Sequence, residues 1–380
     1  MSDDTRMNWR SGGFRWLCLM FLALPLAACG AADDGGQAAS AAPERPGSSG
    51  VAFVYHHVSE DTPRSTSVTP ASFEAHLRHL EENDYQVWSL ADLVSAVDAG
   101  DDIPPRTVAL TFDDAYESVY DTALPMLEAR GWPLTIFVST QYIDDGLRNY
   151  MTWDQLRSAE ARGAAIANHS IDHPSMAAPT PGESEREWLA RVRDDIERAQ
   201  ARLEAEVRAP VRHFAWPYGE YSPPVEALLE DLGFFGFAQR SGAIGPHSPR
   251  TALPRYPMAT GFDALDDFAL KAASRPLPVI ATRPESGVVA PDEDAPSATL
   301  TLAEGRYRAD ALQCYSRGET LPVERIGNDP LRIRIGPAEA PLRVGRTIFN
   351  CTAPASDANA WYWHSVLWMR PREDGSWYEG

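Results

Sequence analysis

The chain has 380 residues, 44% of them hydrophobic, which allows two domains with substantial cores and excludes both a disordered chain and a multi-span membrane protein. Its formal net charge of -20 argues against nucleic acid as a partner, because the phosphates would be repelled. The acidic balance otherwise serves solubility and indicates no chemistry of its own.

The N-terminus has the pattern of an export signal. Three arginines precede the apolar run 16–26, which is short for a membrane span but suits the core of a signal peptide. The run ends in LAACG, which resembles the bacterial lipobox, and its Cys29 would become the lipidated first residue. We predict a lipoprotein signal peptide over residues 1–29, with a simple signal peptide as the alternative. In a cell with two membranes, the lipobox resemblance with Gly30 rather than aspartate after the cysteine implies the outer membrane. We therefore expect an exported, lipid-anchored protein facing the periplasm or the cell surface.

A long segment after this signal has the texture of an α/β domain. Residues 30–50, rich in Gly, Ala, Ser and Pro, predict a flexible tether, and from 51 to 279 short apolar runs alternate with amphipathic stretches. The predicted strands are VAFVYHHV, QVWSL, RTVALTF, PLTIFVS, GAAIA, VRHFAWP, GFFGFAQ and TALPRYP, and the predicted helices are 72–83, 118–130, 153–161 and 182–207. This alternation indicates a parallel sheet or barrel whose functional residues follow the strands.

The C-terminal part of the chain has a different pattern. Residues 280–297 are rich in proline and acidic residues without periodicity, which predicts a linker. From 298 to 380, apolar and polar residues alternate between turn residues. This pattern predicts a small all-β domain, and we expect a sandwich.

Cysteines and aromatic residues add two expectations for this β domain. Cys314 and Cys351 remain after export, and in an oxidising compartment we expect them to pair, with two separate buried thiols as the alternative. The aromatic residues could stack on sugar rings, although aromatics at alternate strand positions more often belong to a core. These residues are Trp361, Tyr362, Trp363, Trp368 and Trp377.

Two predicted strand ends carry residue types that bind metals. Asp113 and Asp114 follow RTVALTF, where adjacent carboxylates raise each other's pKa unless a cation lies beside them. Capping of the next helix is the alternative. His169 and His173 follow GAAIA and suit zinc or a similar divalent ion, although two solvated loop histidines would show the same spacing. With one aspartate they form a set that leaves positions open for water and substrate.

Two further strand ends carry groups that suit acyl chemistry. In RHFAWPYG, Pro217 and Gly219 force an irregular turn, whose freed N–H groups could stabilise an oxyanion and whose aromatic residues could wall an acyl pocket. In YHHV, residues 55–58, a histidine could protonate a leaving group. A plain tight turn and a structural histidine are the respective alternatives.

The ordered motifs TFDD, HSIDH and FAWPYG resemble the leading motifs of the polysaccharide deacetylase (NodB-homology) family, carbohydrate esterase family 4. The opening YHHV and the stretch VTPASFEAHLRHLEENDYQVWSL are similar to a subgroup that includes the poly-β-1,6-N-acetylglucosamine deacetylases, in which the catalytic histidine stands at the N-terminus. The resemblance covers about residues 51–260 and leaves out the C-terminal domain. It implies a distorted (β/α)7 barrel.

The resemblance also implies roles for individual residues. Asp113 would be the general base and His56 the general acid, with His57 the weaker candidate. The implied metal ligands are Asp114, His169 and His173. The implied substrate contacts are Trp216, Pro217 and Tyr218, and Tyr218 would also supply an oxyanion N–H. The implied cofactor is a divalent metal, zinc by default, with Co²⁺, Ni²⁺ or Fe²⁺ as alternatives.

One position departs from the family pattern. Many members have an arginine, which steadies the catalytic aspartate, where this chain has Ala215. The poly-N-acetylglucosamine subgroup also tolerates a small apolar residue there. Arg255, in LPRYP at a later strand end, is a candidate substitute.

The function implied by the resemblance is metal-dependent removal of acetyl groups from N-acetylglucosamine residues of a cell-surface or extracellular polysaccharide, such as poly-β-1,6-N-acetylglucosamine. The expected partners are the acetylated polysaccharide and, through the lipid anchor, a membrane. Two alternatives stay open: an esterase that acts on O-acetylated polysaccharide, and a carbohydrate-binding lipoprotein with a weak or inactive deacetylase fold.

Overall fold

The structure is a computed structural model, and it describes residues 48–289, 296–336 and 342–378. The predicted signal peptide, Cys29 and most of the predicted tether lie outside the described residues. Within the described ranges, no helix is long and apolar enough to cross a membrane.

The N-terminal part of the described chain builds an eight-stranded sheet in which all paired strands run parallel. Its strands are Val51–Tyr55, Gln86–Val87, Thr107–Phe112, Leu134–Val138, Ala164–Asn168, His213–Ala215, Phe235–Phe237 and Tyr256–Pro257. Tyr256–Pro257 pairs with the first strand, and a bridge from Leu253 to Phe237 joins the same segment to the opposite edge. The sheet therefore curls into a distorted barrel, which confirms the predicted fold class.

Helices connect these strands. They are Pro70–Glu82, Leu90–Ala99, Leu124–Glu128, Thr140–Asp144, Trp153–Ala161, Glu185–Glu206, Pro223–Asp231 and Leu265–Ala272. The predicted helix 118–130 begins as a π-helical turn, Val119–Ala123, before it continues as an α-helix. Because helices and core side chains cover both faces of a parallel sheet, its central strands can be buried along their whole length, as Val51–Tyr55 and Thr107–Phe112 are.

The longest helix, Glu185–Glu206, shows why the sequence folds locally as it does. Ser184 accepts a hydrogen bond from the Glu187 amide, and the Glu187 carboxylate accepts one from the Ser184 amide, which satisfies two backbone donors at the helix start. One stripe of the helix is buried at helical spacing and consists of Trp188, Val192, Ile196, Ala199 and Leu203. This stripe packs the helix on the barrel, while its charged face meets solvent.

The C-terminal part is a β-sandwich. One sheet has five strands, Arg275–Pro276, Gln313–Ser316, Glu319–Leu321, Gly345–Pro354 and Trp361–Arg370. The other has four, Val279–Arg283, Ala298–Leu302, Val323–Asn328 and Leu331–Ile335. Apolar residues of both sheets form one core, which confirms the predicted all-β region. A disulfide joins Cys314 and Cys351, which lie opposite each other on paired strands of the larger sheet.

The structure differs from the predicted linker at its first residues. Val279–Arg283 is a strand that pairs with Ala298–Leu302, so the sandwich begins before residue 298. Of the C-terminal aromatic residues, Tyr362 and Trp368 are buried in the sandwich, whereas Trp361 is partly exposed. Packing rather than sugar binding therefore accounts for the first two.

Candidate active site

The predicted site residues meet at the carboxyl ends of four barrel strands. His56, Asp113 and His169 each follow the last residue of a strand, and the FAWPYG turn follows a fourth. Several residues there have left-handed backbone conformations that are unusual for side chains other than glycine: Asp114 (φ 71°), Ala115 (56°), Ser170 (73°), His173 (59°) and Tyr218 (58°). Each costs roughly 1–3 kcal/mol and is typical of a functional site held by its surroundings.

Three side chains form a set that can hold a metal. The ligand atoms of Asp114, His169 and His173 lie within 4.8 Å of one another. Asp114 Oδ1 is 3.4 Å from His169 Nε2 and 3.7 Å from His173 Nε2. Asp114 Oδ1 and His169 Nε2 are buried without a hydrogen-bond partner. Buried polar atoms without partners are rare, and a cation between them would satisfy both.

Hydrogen bonds orient the His169 ring as a ligand and hold the loop that carries His173. His169 Nδ1 lies 2.8 Å from the Ala215 carbonyl, which can only accept, so Nδ1 carries the proton and Nε2 keeps its lone pair. The His173 amide donates to Ser170 Oγ at 2.9 Å, which fixes the HSIDH loop. Burial and the neighbouring His169 lower the pKa of His173 to about 4, so its imidazole is neutral at physiological pH, as a metal ligand requires.

Asp113 lies beside this set and pairs with Arg255. Arg255 Nη1 donates to Asp113 Oδ1 at 2.7 Å and Nη2 to Oδ2 at 2.8 Å, and both side chains are fully buried. Burial raises the pKa of Asp113, but the Arg255 guanidinium and His169 outweigh it and hold that pKa below its usual value. Arg255 thus makes the contact that Ala215 cannot make.

Gln239 links the two groups predicted to move protons. Its Nε2 donates to Asp113 Oδ2 at 3.3 Å and lies 3.5 Å from His56 Nε2. His57 points elsewhere: its ring stacks on Tyr116 with centroids 3.6 Å apart, and burial lowers its pKa to about 4. The geometry therefore favours His56 over His57 as the acid. Nothing in the sequence marks Gln239 except its place at the end of a strand.

The FAWPYG turn differs in part from the substrate wall predicted for it. Trp216 is fully buried, and its indole N–H donates to the Thr251 carbonyl at 2.7 Å, so it faces the core and not the cleft. Pro217 is buried as well. Both side chains are buried and shape the turn in this structure, and their role as substrate contacts stays a prediction. Tyr218 does face the site, with its ring centroid 4.3 Å from that of His173.

Gly219 is required by the packing of this turn. Its φ is 70°, and a Cβ added there would lie 2.5 Å from the backbone nitrogen of Gln239. Any larger residue would push apart the turn and the strand end that carries Gln239. The turn that would present the Tyr218 N–H therefore packs closely against Gln239, the residue that contacts Asp113.

Comparison with known proteins agrees with the motifs. Residues 100–236 match the family model described as polysaccharide deacetylase. A poly-beta-1,6-N-acetyl-D-glucosamine N-deacetylase of Escherichia coli (strain K12) is 28% identical over 254 residues, which cover 58% of this chain and 38% of that protein. The chain thus spans well under half of that relative's length.

Two solved structures share the fold. The Streptococcus pyogenes deacetylase PplD, in complex with acetate, superposes with a TM-score of 0.53 at 18% identity and covers 59% of this chain and 98% of its own. IcaB from Ammonifex degensii superposes with a TM-score of 0.51 at 21% identity and covers 60% and 98%. At this identity the likeness establishes the barrel fold, and together with the family match it confirms the resemblance of the motifs.

Proposed function

We propose that the protein removes N-acetyl groups from an N-acetylglucosamine polymer, because residues 100–236 match the family model described as polysaccharide deacetylase. The Escherichia coli relative, a poly-beta-1,6-N-acetyl-D-glucosamine N-deacetylase, supports poly-β-1,6-N-acetylglucosamine as the polymer. One observation carries the proposal: a buried carboxylate, Asp113, held by Arg255 beside the Asp114, His169 and His173 set. A general base next to a cation site is the arrangement that hydrolysis of an amide by water requires.

We infer that the three-ligand set takes a divalent metal, with zinc first because one carboxylate and two imidazoles suit it. The two buried atoms without partners, Asp114 Oδ1 and His169 Nε2, fit such an ion. When bound, the metal would lower the pKa of a coordinated water and polarise the acetyl carbonyl. Cobalt, nickel or iron would fit the same donors.

The side chains of the protein then divide the proton transfers. Asp113 accepts a proton from the attacking water as a C–O bond forms at the amide carbon. Arg255 keeps Asp113 ionised and aligned through two hydrogen bonds, and Gln239 holds its outer oxygen. The Tyr218 N–H is the proposed donor to the developing oxyanion.

His56 completes the reaction. It gives a proton to the sugar nitrogen as the C–N bond breaks, so acetate and a sugar amine are released. Gln239 lies within 3.5 Å of both Asp113 and His56 and so couples the positions of base and acid. An amide nitrogen is a poor leaving group without this proton, which makes His56 more important for amides than for esters.

This difference tests N-deacetylation against the alternative of O-deacetylation. We expect His56→Ala to lose on the order of 10²-fold or more in kcat on an N-acetylglucosamine oligomer, and clearly less on an acetyl ester. Asp113→Asn is the matched control, because loss of the base should impair both substrates. Equal losses on amide and ester in His56→Ala, or amine release that survives Asp113→Asn, would contradict the assigned roles.

We also propose that the protein is exported and held by lipid on Cys29, at the outer membrane facing the periplasm or the cell surface. The support is the sequence of residues 1–30. The disulfide between Cys314 and Cys351 is consistent with an oxidising compartment. Such an anchor would place the barrel close to a surface polysaccharide.

A further inference from the structure

The C-terminal sandwich reaches the active-site turn through one buried carboxylate. Glu220 directly follows Gly219, and its side chain is fully buried. It accepts hydrogen bonds from Ser175 Oγ at 2.5 Å, from Trp377 Nε1 at 2.9 Å and from Tyr378 Oη at 2.8 Å. Trp377 and Tyr378 come after the last strand of the sandwich, so this end of the chain is fastened beneath the turn.

Arg346 of the sandwich makes a second connection to the same turn. Its Nη1 donates to the Tyr218 carbonyl, and its Nε lies 3.6 Å from Glu220 Oε1. The guanidinium carbon is 5.7 Å from the centre of the Tyr218 ring. A buried carboxylate needs such partners, because an unpaired buried charge is strongly destabilising. The conformation of the turn therefore depends on the sandwich as well as on the barrel.

Between these contacts runs a groove with walls from both parts of the chain. Its volume is about 640 Å³, within the range of ligand clefts. Its walls include Tyr218, Gln239, Phe262, Arg346, Ile348 and Tyr378. Tyr218 and Gln239 also face the reaction centre, through the His173 ring and the Asp113 carboxylate. The groove is thus continuous with the active site.

We propose that this groove is a substrate subsite that holds the sugar residue next to the one being deacetylated, in its N-acetylated form. The inference rests on the proposed function. Phe262 is 66% exposed, and its face is available to the apolar side of a pyranose ring. The Gln239 amide and the Tyr378 hydroxyl offer hydrogen bonds to sugar hydroxyls, the usual division of labour in a ligand cleft.

Charge selects the acetylated form. Among the described residues that line the groove, Arg346 is the one with a charged side chain. Glu220, its partner, is fully buried and presents no carboxylate to a ligand. An uncharged N-acetylglucosamine can lie beside the guanidinium, whereas a protonated glucosamine would be repelled. The sandwich would therefore direct the enzyme to acetylated stretches of the polymer and favour release of deacetylated ones.

Calorimetric binding to the full-length, chelator-stripped chain tests the subsite without turnover. The ligands are a β-1,6-linked N-acetylglucosamine tetramer and its fully deacetylated form. We expect Phe262→Ala to weaken binding of the acetylated tetramer about fivefold to tenfold, the effect of losing one aromatic contact. Leu270→Ala, at another exposed apolar residue outside the groove, is the control and should bind like the wild type.

A second variant, Arg346→Gln, tests the preference for the acetylated form. We expect the deacetylated tetramer to bind at least about tenfold more weakly to the wild type, and Arg346→Gln to narrow that difference. If Arg346 had only a structural role, Arg346→Gln would weaken the binding of both tetramers by the same factor. Glu220 keeps three hydrogen-bond donors in this variant, so the turn retains its fastening.

The outcomes separate the subsite from the proposed function. Equal affinities in Phe262→Ala and Leu270→Ala, equal binding of the two tetramers, or no binding of the acetylated tetramer would overturn the subsite. Amine release by the zinc-loaded wild type is measured in parallel. Amine release without the expected differences in affinity supports the proposed function and refutes the subsite. The expected differences in affinity without amine release support sugar binding in the groove and refute the proposed function.

Discussion

Arg255→Met removes the cation that pairs with Asp113 among the described residues and preserves much of the side-chain volume. Both groups are fully buried and joined by two short hydrogen bonds, so the variant leaves a buried carboxylate without its partner. Breaking a buried pair in this way destabilises a protein by about 3–5 kcal/mol. Asp113 can escape part of this loss only by taking up a proton, which would disable it as a base.

The pH dependence follows from the direction of the pKa shift. In the wild type, Arg255 holds the pKa of Asp113 below its usual value, so its contribution to stability is present above about pH 4 and lost as the pH falls through the folded pKa. In the variant, burial is the largest influence on Asp113 and is opposed mainly by His169, so we expect that pKa to rise. The variant therefore loses stability as the pH rises from about 4, and its difference from the wild type should grow toward neutral pH.

Denaturant unfolding at pH 4.5 and pH 7.5 measures the difference in stability between the variant and the wild type. The pH–rate profile on an acetylated oligomer reports the pKa of the general base, Asp113. We expect a larger loss of stability at pH 7.5 and an acidic limb of the rate profile displaced to higher pH. Arg250→Met is the control, because Arg250 pairs with Asp98 at the surface and such pairs contribute about 0–1 kcal/mol. A stability loss that is the same at both pH values, with an undisplaced rate profile, would refute the role given to Arg255.

Three further changes test other parts of the molecule. Replacing Cys314 and Cys351 by serine opens a 37-residue loop and should lower the free energy of unfolding by about 4 kcal/mol; an unchanged denaturation midpoint would argue against a stabilising disulfide. Burial raises the pKa of Asp195 to about 7, so its charged form destabilises the fold as the pH rises from about 4 through 7. Asp195→Asn should therefore raise the melting temperature more at pH 8 than at pH 5, and an equal change at both would exclude this cause. Cys29→Ala should shift the protein from the membrane fraction to the soluble fraction of cells, whereas unchanged membrane attachment would exclude a lipid anchor at this residue.

Much of the barrel and the metal set could be predicted because their signals are local. Apolar runs followed by polar residues identify strands and the chemistry at their ends, and Asp114, His169 and His173 each stand directly at or near such an end. Parallel strands then bring these ends together, which is why three motifs far apart in sequence converge in one site.

Contacts that depend on the curl of the sheet could not be predicted from such local signals. The sequence offers Arg255 only as a candidate partner of Asp113, because the two lie 142 residues apart and only closure of the barrel brings the Arg255 strand end to the first strands. Trp216 shows the same dependence on packing. It stands in a functional motif, but the direction of a side chain at a strand end is set by tertiary packing, and here its indole binds the Thr251 carbonyl in the core.

The contribution of the sandwich is likewise invisible in sequence. Glu220 and Arg346 are single charged residues in a chain with many, and their pairing depends on how the C-terminal strands dock beside the turn. The early start of the sandwich has a similar cause. Val279–Arg283 carries no strong strand pattern and becomes a strand because Ala298–Leu302 offers it a partner.

Amine release from a β-1,6-linked N-acetylglucosamine oligomer tests the central claim most directly. The full-length protein would be compared in chelator-stripped and zinc-restored form, with the metal content of each sample measured alongside. We predict no release from the stripped sample and restored release at about one zinc ion per chain, with His169→Ala binding no zinc at this site. Equal release from both samples, or silence on this oligomer and on its β-1,4-linked counterpart with zinc bound, would contradict it.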